Sequence, residues 1–183
     1  RSLFGGYVEM HAGTALDGLD SFAEPLMAPE HWPLEVIIAV TERREKKVSS
    51  RTGMNASTAT SPYYPAWVAT SETDLQIGRQ AILSRDFEAL ATVAEHSCLK
   101  MHAAAMANQP PLFYWNSGTV MCMEAVRELR ASGHAVFFTI DAGPQLKAVC
   151  EPACRELVVD SLRGLPSVAD IIVSGLGQGV ENI

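Results

Sequence analysis

The amino-acid sequence predicts an α+β fold, and three stretches carry that prediction. Leu34-Glu35-Val36-Ile37-Ile38-Ala39-Val40 is β-branched and apolar on both faces, as a strand in the middle of a sheet should be. From Val68 to Ala105 apolar residues recur at helical spacing, the pattern of helices buried along one stripe. At Ala135 the period returns to strand: Ala135 to Ile140 and Leu146 to Cys150 flank the turn Asp141-Ala142-Gly143-Pro144. The order strand, helices, strand, strand, helix, strand fits a ferredoxin-like split βαβ sheet of about four antiparallel strands with helices on one face.

Each element has a local reason. Leu3, Phe4, Tyr7 and Val8 follow helical spacing, so the chain is expected to open inside a helix that carries Arg1 on its face. Gly13 to Ser21 is turn-rich, and the charge run Glu42 to Lys47 reads as a solvated strand end or hairpin. Ser49-Ser50-Arg51-Thr52-Gly53-Met54 reads as a polar loop leading into Thr58 to Tyr64. Val68, Leu75 and Ile82 mark one helix, and Phe87, Leu90, Ala94, Cys98, Met101 and Ala105 mark the next, with Asp86 as the N-cap between them. Pro110-Pro111 stops the second helix. Asn116-Ser117-Gly118-Thr119 caps a third, which carries Val120, Met123, Val126 and Leu129 until Gly133 ends it. Glu156 to Arg163 is a short helix and Ala169 to Ser174 the last strand. The glycine-rich tail from Gly175 to Gly179 follows a strand instead of opening a helix, so it fails as a dinucleotide loop.

Composition excludes several classes. Fourteen Lys and Arg against twenty-one Asp and Glu give a net charge of -7, the wrong sign for a general nucleic-acid or acidic-membrane binder. Hydrophobic residues are 48% and charged residues 19% of 183 residues, the balance of one globular unit with a real core. Apolar runs such as Val36 to Val40 fall far short of the ~20 residues that span a bilayer. A cytoplasmic protein without nucleic-acid or membrane partners is expected. Cys98, Cys122, Cys150 and Cys154 form no Cys-x-x-Cys ladder and read as free thiols packed as small hydrophobes.

A few residues could carry chemistry. Asp141 places a carboxylate where a buried strand ends, and Gly143 and Pro144 tighten the turn behind it. Ser49, Ser50 and Arg51 offer two hydroxyls and a guanidinium, a set suited to phosphate oxygens. Arg1 brings five further donors. His11, His31, His96, His102 and His134 have no metal-triad spacing, so no metal site is expected, and His102, on an apolar helical stripe, reads as a hydrogen-bonded structural residue.

Taken together these segments resemble the mevalonate diphosphate decarboxylases, members of the galactokinase, homoserine kinase, mevalonate kinase and phosphomevalonate kinase superfamily. The resemblance rests on Arg1-Ser2-Leu3-Phe4-Gly5-Gly6-Tyr7-Val8-Glu9, Asp17 to Ala23, Val48 to Met54, Thr60-Ser61-Pro62, Met101-His102-Ala103, Pro110 to Tyr114 and Thr139 to Pro144, in the family's order. It implies the C-terminal part of a two-domain fold, with residues 1–33 the tail of the first domain and 34–183 the ferredoxin-like second. It implies an enzyme that uses ATP and Mg²⁺ to turn mevalonate 5-diphosphate into isopentenyl diphosphate, carbon dioxide, ADP and phosphate, within isoprenoid biosynthesis. Asp141 then matches the catalytic carboxylate at the 3-hydroxyl, Arg1 the guanidinium that grips the substrate carboxylate, and Ser50 and Arg51 the diphosphate contacts. Family members are commonly homodimers, and no apolar stripe here is left over for an interface.

The family's phosphate-binding loop is expected upstream of Arg1, so these residues alone are expected not to turn over. Gln145 stands where Asn is common and Met10 where Trp is common; both are expected to be tolerated. A phosphomevalonate decarboxylase or mevalonate 3-kinase keeps the fold and changes the substrate. A non-catalytic ferredoxin-like binding module explains the sheet but leaves Arg1, Ser50, Arg51 and Asp141 as coincidence.

Overall fold

In the computed structural model, which describes residues 3–44 and 48–180, the strand-patterned runs pair into one four-stranded antiparallel sheet. Its strands are β3 (Glu35–Val40), β4 (Val136–Ile140), β5 (Leu146–Cys150) and β6 (Asp170–Gly175), in the spatial order β4-β5-β3-β6. The first of these, β3, therefore lies between the third and the last, as the split βαβ topology requires. A separate hairpin, β1 (Tyr7–Met10) with β2 (Ala23–Met27), precedes the sheet. Five α-helices complete the described residues: α1 (Ser50–Thr60), α2 (Tyr64–Ser84), α3 (Phe87–Met106), α4 (Ser117–Ala131) and α5 (Arg155–Arg163).

Strand alternation sorts the core into two layers. Ile37, Ala39, Phe138, Ile140, Leu146 and Ala148 face α4 and α5, where Cys122, Val126, Val158 and Leu162 cover them. Phe137 points the other way and packs with Tyr7, Trp32, Leu34, Phe87 and Ala91. The caps lie where local chemistry puts them. Asp86 accepts from the Ala89 amide at 3.0 Å, Asn116 and Thr119 form a reciprocal capping box, and Gly133 takes φ +90° after α4. All four cysteines are unpaired, and burial pushes the Cys122 thiol up to about 11 and Cys150 up to about 12. Among the described residues no helix is long and apolar enough to cross a membrane.

Helix α3 lies along the outer edge of β4. The Glu95 carboxylate accepts the Phe138 amide at 3.2 Å, and the Cys98 sulfur accepts the Ile140 amide at 3.3 Å. His102 Nε2 lies 3.0 Å from the Ile140 carbonyl; since a carbonyl only accepts, this nitrogen carries the proton and donates. Side chains thus replace the missing neighbour strand.

Two expectations are overturned. Residues 7–10 form a strand, not a helix: Gly6 at φ +66° breaks the run, and Tyr7 and Glu9 turn inward while Met10 turns out. The supposed polar loop after Ser49 is the first turn of α1, capped by Ser49, whose hydroxyl accepts the Thr52 amide at 3.1 Å. That helix buries only Gly53 and Ser57, so it has no apolar stripe to read. In the charge run, Arg44 bonds Glu42, and residues 45–47 lie outside the described residues, as does Arg1.

Replacing Glu95 by Ala leaves the buried Phe138 amide without an acceptor, a cost of about 1–3 kcal/mol. Glu95→Gln keeps an acceptor oxygen and should lose far less. Urea unfolding midpoints compare the two; an Ala variant as stable as the Gln variant would show that the edge contact contributes nothing.

Candidate active site

The end of β4 and the start of α1 face a common cleft of ≈ 460 Å³. Ser50, Gly53 and Ser57 of α1 line one side, and Asp141 and Ala142 of the turn after β4 line another, with Trp67, Met101, Ala105 and Tyr114 between them. A second cavity, ≈ 360 Å³, lies between the hairpin, α2 and α3 and is lined by none of Ser50, Arg51 and Asp141. The first cleft is where the chemistry gathers.

Its two walls are held differently. On the α1 side the fit is one of small residues: a Cβ at Gly53 would overlap the Tyr114 hydroxyl, so only glycine lets the helix approach. The Tyr114 hydroxyl also donates to the Ser49 carbonyl at 3.5 Å. Ser50, at the N-terminal start of α1, thus lines the cleft, a setting that favours anions. On the β4 side, Ile140 is gripped by Cys98 and His102, and Asp141 follows directly. The turn behind it is pinned because the Pro144 carbonyl accepts the Thr119 hydroxyl at 2.7 Å and the Thr41 hydroxyl at 3.0 Å. Gln145 completes the lock: its side-chain oxygen accepts the Thr41 amide at 2.7 Å and its amide nitrogen donates to the Glu42 carbonyl.

Of the predicted residues, Ser50 and Asp141 share the cleft, while Arg51 is exposed on the same first turn of α1 and does not line it. Arg1 lies outside the described residues. One partner was not foreseen. The Asp141 carboxylate, 81% exposed, is held by Lys147, whose Nζ lies 2.7 Å from Oδ2. Thr139 pairs with Lys147 across β4 and β5, which puts Asp141 diagonally beside that lysine on one face of the hairpin. The signal was present in the Asp141-to-Lys147 spacing, but reading it requires the register.

Residues 36–174 match the family model for the mevalonate 5-diphosphate decarboxylase C-terminal domain. The chain belongs to that family. It is 32% identical over 164 residues to diphosphomevalonate decarboxylase of Candida albicans, covering 88% of this chain and 45% of that protein. To the human diphosphomevalonate decarboxylase it is 32% identical over 184 residues, covering 96% and 46%. The chain thus spans about half the length of the curated relatives it matches. Mevalonate diphosphate decarboxylase of Staphylococcus aureus superposes with a TM-score of 0.89 at 32% identity, over 98% of this chain and 54% of that one. The protein designated MDDEF, solved in complex with MVAPP, AMPPCP and magnesium, gives a TM-score of 0.89 at 32% identity, over 99% and 55%. The family's fold is the one described above.

A magnesium site does not emerge from the cleft's own side chains. They supply one carboxylate, Asp141, already paired with a lysine, whereas Mg²⁺ takes near-octahedral oxygen coordination. Among the described residues the one His and carboxylate cluster with ligand spacing, Glu9, His11 and Glu24, sits on the β1–β2 hairpin.

Buried His102 has its pKa lowered, chiefly by burial, against the opposing pull of the Ile140 carbonyl and the Asp141 charge. The unfolded ring takes up a proton near 6.5 and the folded ring does so only at lower pH, so the unfolded state binds more protons. Stability from this group is complete above that value and is lost as the pH falls through the folded value. Guanidinium melts from pH 7.5 to pH 5 should show it, and His102→Gln should flatten the loss; an equal slope in both proteins would refute the assignment.

Proposed function

We propose that this chain forms the substrate-facing part of an ATP-dependent mevalonate 5-diphosphate decarboxylase, which yields isopentenyl diphosphate, carbon dioxide, ADP and phosphate. The observation that carries the reading is the cleft shared by Asp141 and the Ser50 end of α1, in a chain of this family. A diphosphate at the helix start, contacted by Ser50 and Arg51, would leave the branched acid to extend toward Asp141.

The residues then divide the work. Asp141 orients the tertiary 3-hydroxyl and accepts its proton as the oxygen–phosphorus bond forms and ADP departs with the electron pair. Phosphate next leaves from the tertiary carbon, and the carbon–carboxylate bond breaks to supply the electrons of the new double bond. Arg1 is assigned by resemblance to the substrate carboxylate. Alignment and charge stabilisation carry most of the phosphoryl transfer. ATP supplies the phosphoryl group when bound. We assign its binding loop and the Mg²⁺ ligands to residues other than those lining this cleft. Residues 1–33 are assigned to the first domain and 34–183 to the second. The same reading puts the protein in the cytoplasm, where four unpaired thiols stay reduced.

In the full-length enzyme Asp141→Asn should lower ATP-dependent release of carbon dioxide by ~10²–10⁴-fold while mevalonate 5-diphosphate binding is kept. Unaltered turnover would favour a binding module instead. Arg51→Ala should raise KM by the equivalent of ~1.5–3 kcal/mol with kcat little changed, through lost charged hydrogen bonds to the diphosphate. A KM that stays put would remove Arg51 from the diphosphate contacts.

A further inference from the structure

We infer that Lys147 is a positioning residue for Asp141: its ammonium holds the carboxylate in the orientation that receives the substrate proton. This inference rests on the decarboxylase reading and adds a residue to it. Asp141 stands on a turn with its side chain 81% exposed, so by itself the carboxylate has rotational freedom. Lys147 is its opposite in every respect. Its side chain is only 23% exposed, and it projects from β5, a strand paired on both sides: Thr139 lies opposite on β4 and Ile38 opposite on β3.

The ammonium is therefore presented from the interior of the sheet, and its 2.7 Å contact with Oδ2 transfers that rigidity to a side chain at the rim. A pair whose acid is this exposed contributes little to folding. Its value lies in geometry. A carboxylate has about four lone-pair sites, and one lysine contact takes one of them, which leaves acceptor capacity for a hydroxyl proton. Positioning to within a fraction of an ångström is where a general base gains or loses rate.

The test uses the full-length enzyme with mevalonate 5-diphosphate and ATP. Lys147→Met should lower kcat at least tenfold with KM for the diphosphate within twofold, and Lys147→Arg should restore most of the loss. On an Asp141→Asn background the same Lys147→Met change should cost nothing further, because the residue acts through the carboxylate. A general structural weakening would lower both backgrounds alike, and that outcome overturns the inference. So does an unchanged kcat in Lys147→Met, or a loss confined to KM. A wild-type enzyme that releases no carbon dioxide from this substrate would instead sink the decarboxylase reading itself.

Discussion

The cleft depends on a hydrogen-bonded seam between α3 and the free edge of β4. An edge strand exposes amides and carbonyls that must find partners, and here one helix supplies them. Glu95, Cys98 and His102 recur along one face of α3 and meet the Phe138 amide, the Ile140 amide and the Ile140 carbonyl in turn. Burial acts on all three side chains, raising the pKa of Glu95 and of Cys98 and lowering that of His102. Hydrogen bonds to the strand offset part of that cost, and β4 gains a fixed end. Asp141 is the first residue past it.

The seam also reaches the opposite wall. The His102 ring lies 4.7 Å from the Trp115 ring and 6.1 Å, edge-on, from Tyr114. Tyr114 in turn touches Ser49 and fills the space beside Gly53. The carboxylate wall and the helix-start wall are thus joined through one buried imidazole. Their separation is set by these contacts, which pass from His102 of α3 through the connecting segment that carries Tyr114 and Trp115. Thr41, Thr119 and Gln145 close the frame behind the turn, and Gln145 fills its unusual place by bonding two backbone groups of the segment after β3.

The chain spans about half the length of its relatives, and the cleft's chemistry is correspondingly partial. It offers a carboxylate, a lysine to hold it and a helix start suited to phosphate, but one acid only. A proton acceptor and an anion site suit the sugar-sized acid of the proposed reaction; nucleotide and metal call for other groups. The glycine-rich tail contributes elsewhere: Gly177 accepts the Gly6 amide through its carbonyl, and Val180 donates to Leu3, so the tail ties down the segment before β1.

Much of this was legible locally. The four strands of the sheet, the Asp86 and Asn116 caps and the buried role of His102 follow from periodicity and capping chemistry, which depend only on near neighbours in sequence. Asp141 and Ser50 could be singled out by residue type and motif. Three things needed the third dimension. Tyr7 to Met10 is a strand because β2 pairs with it, a partner the helical spacing of Leu3, Phe4, Tyr7 and Val8 could not reveal. The helix α1 is stabilised by the close approach that Gly53 and Ser57 permit, and smallness leaves no hydrophobic period. Lys147 meets Asp141 only once the β4–β5 register is set. Periodicity is a local property of the chain, whereas register and close approach are decided by contacts between residues far apart along it.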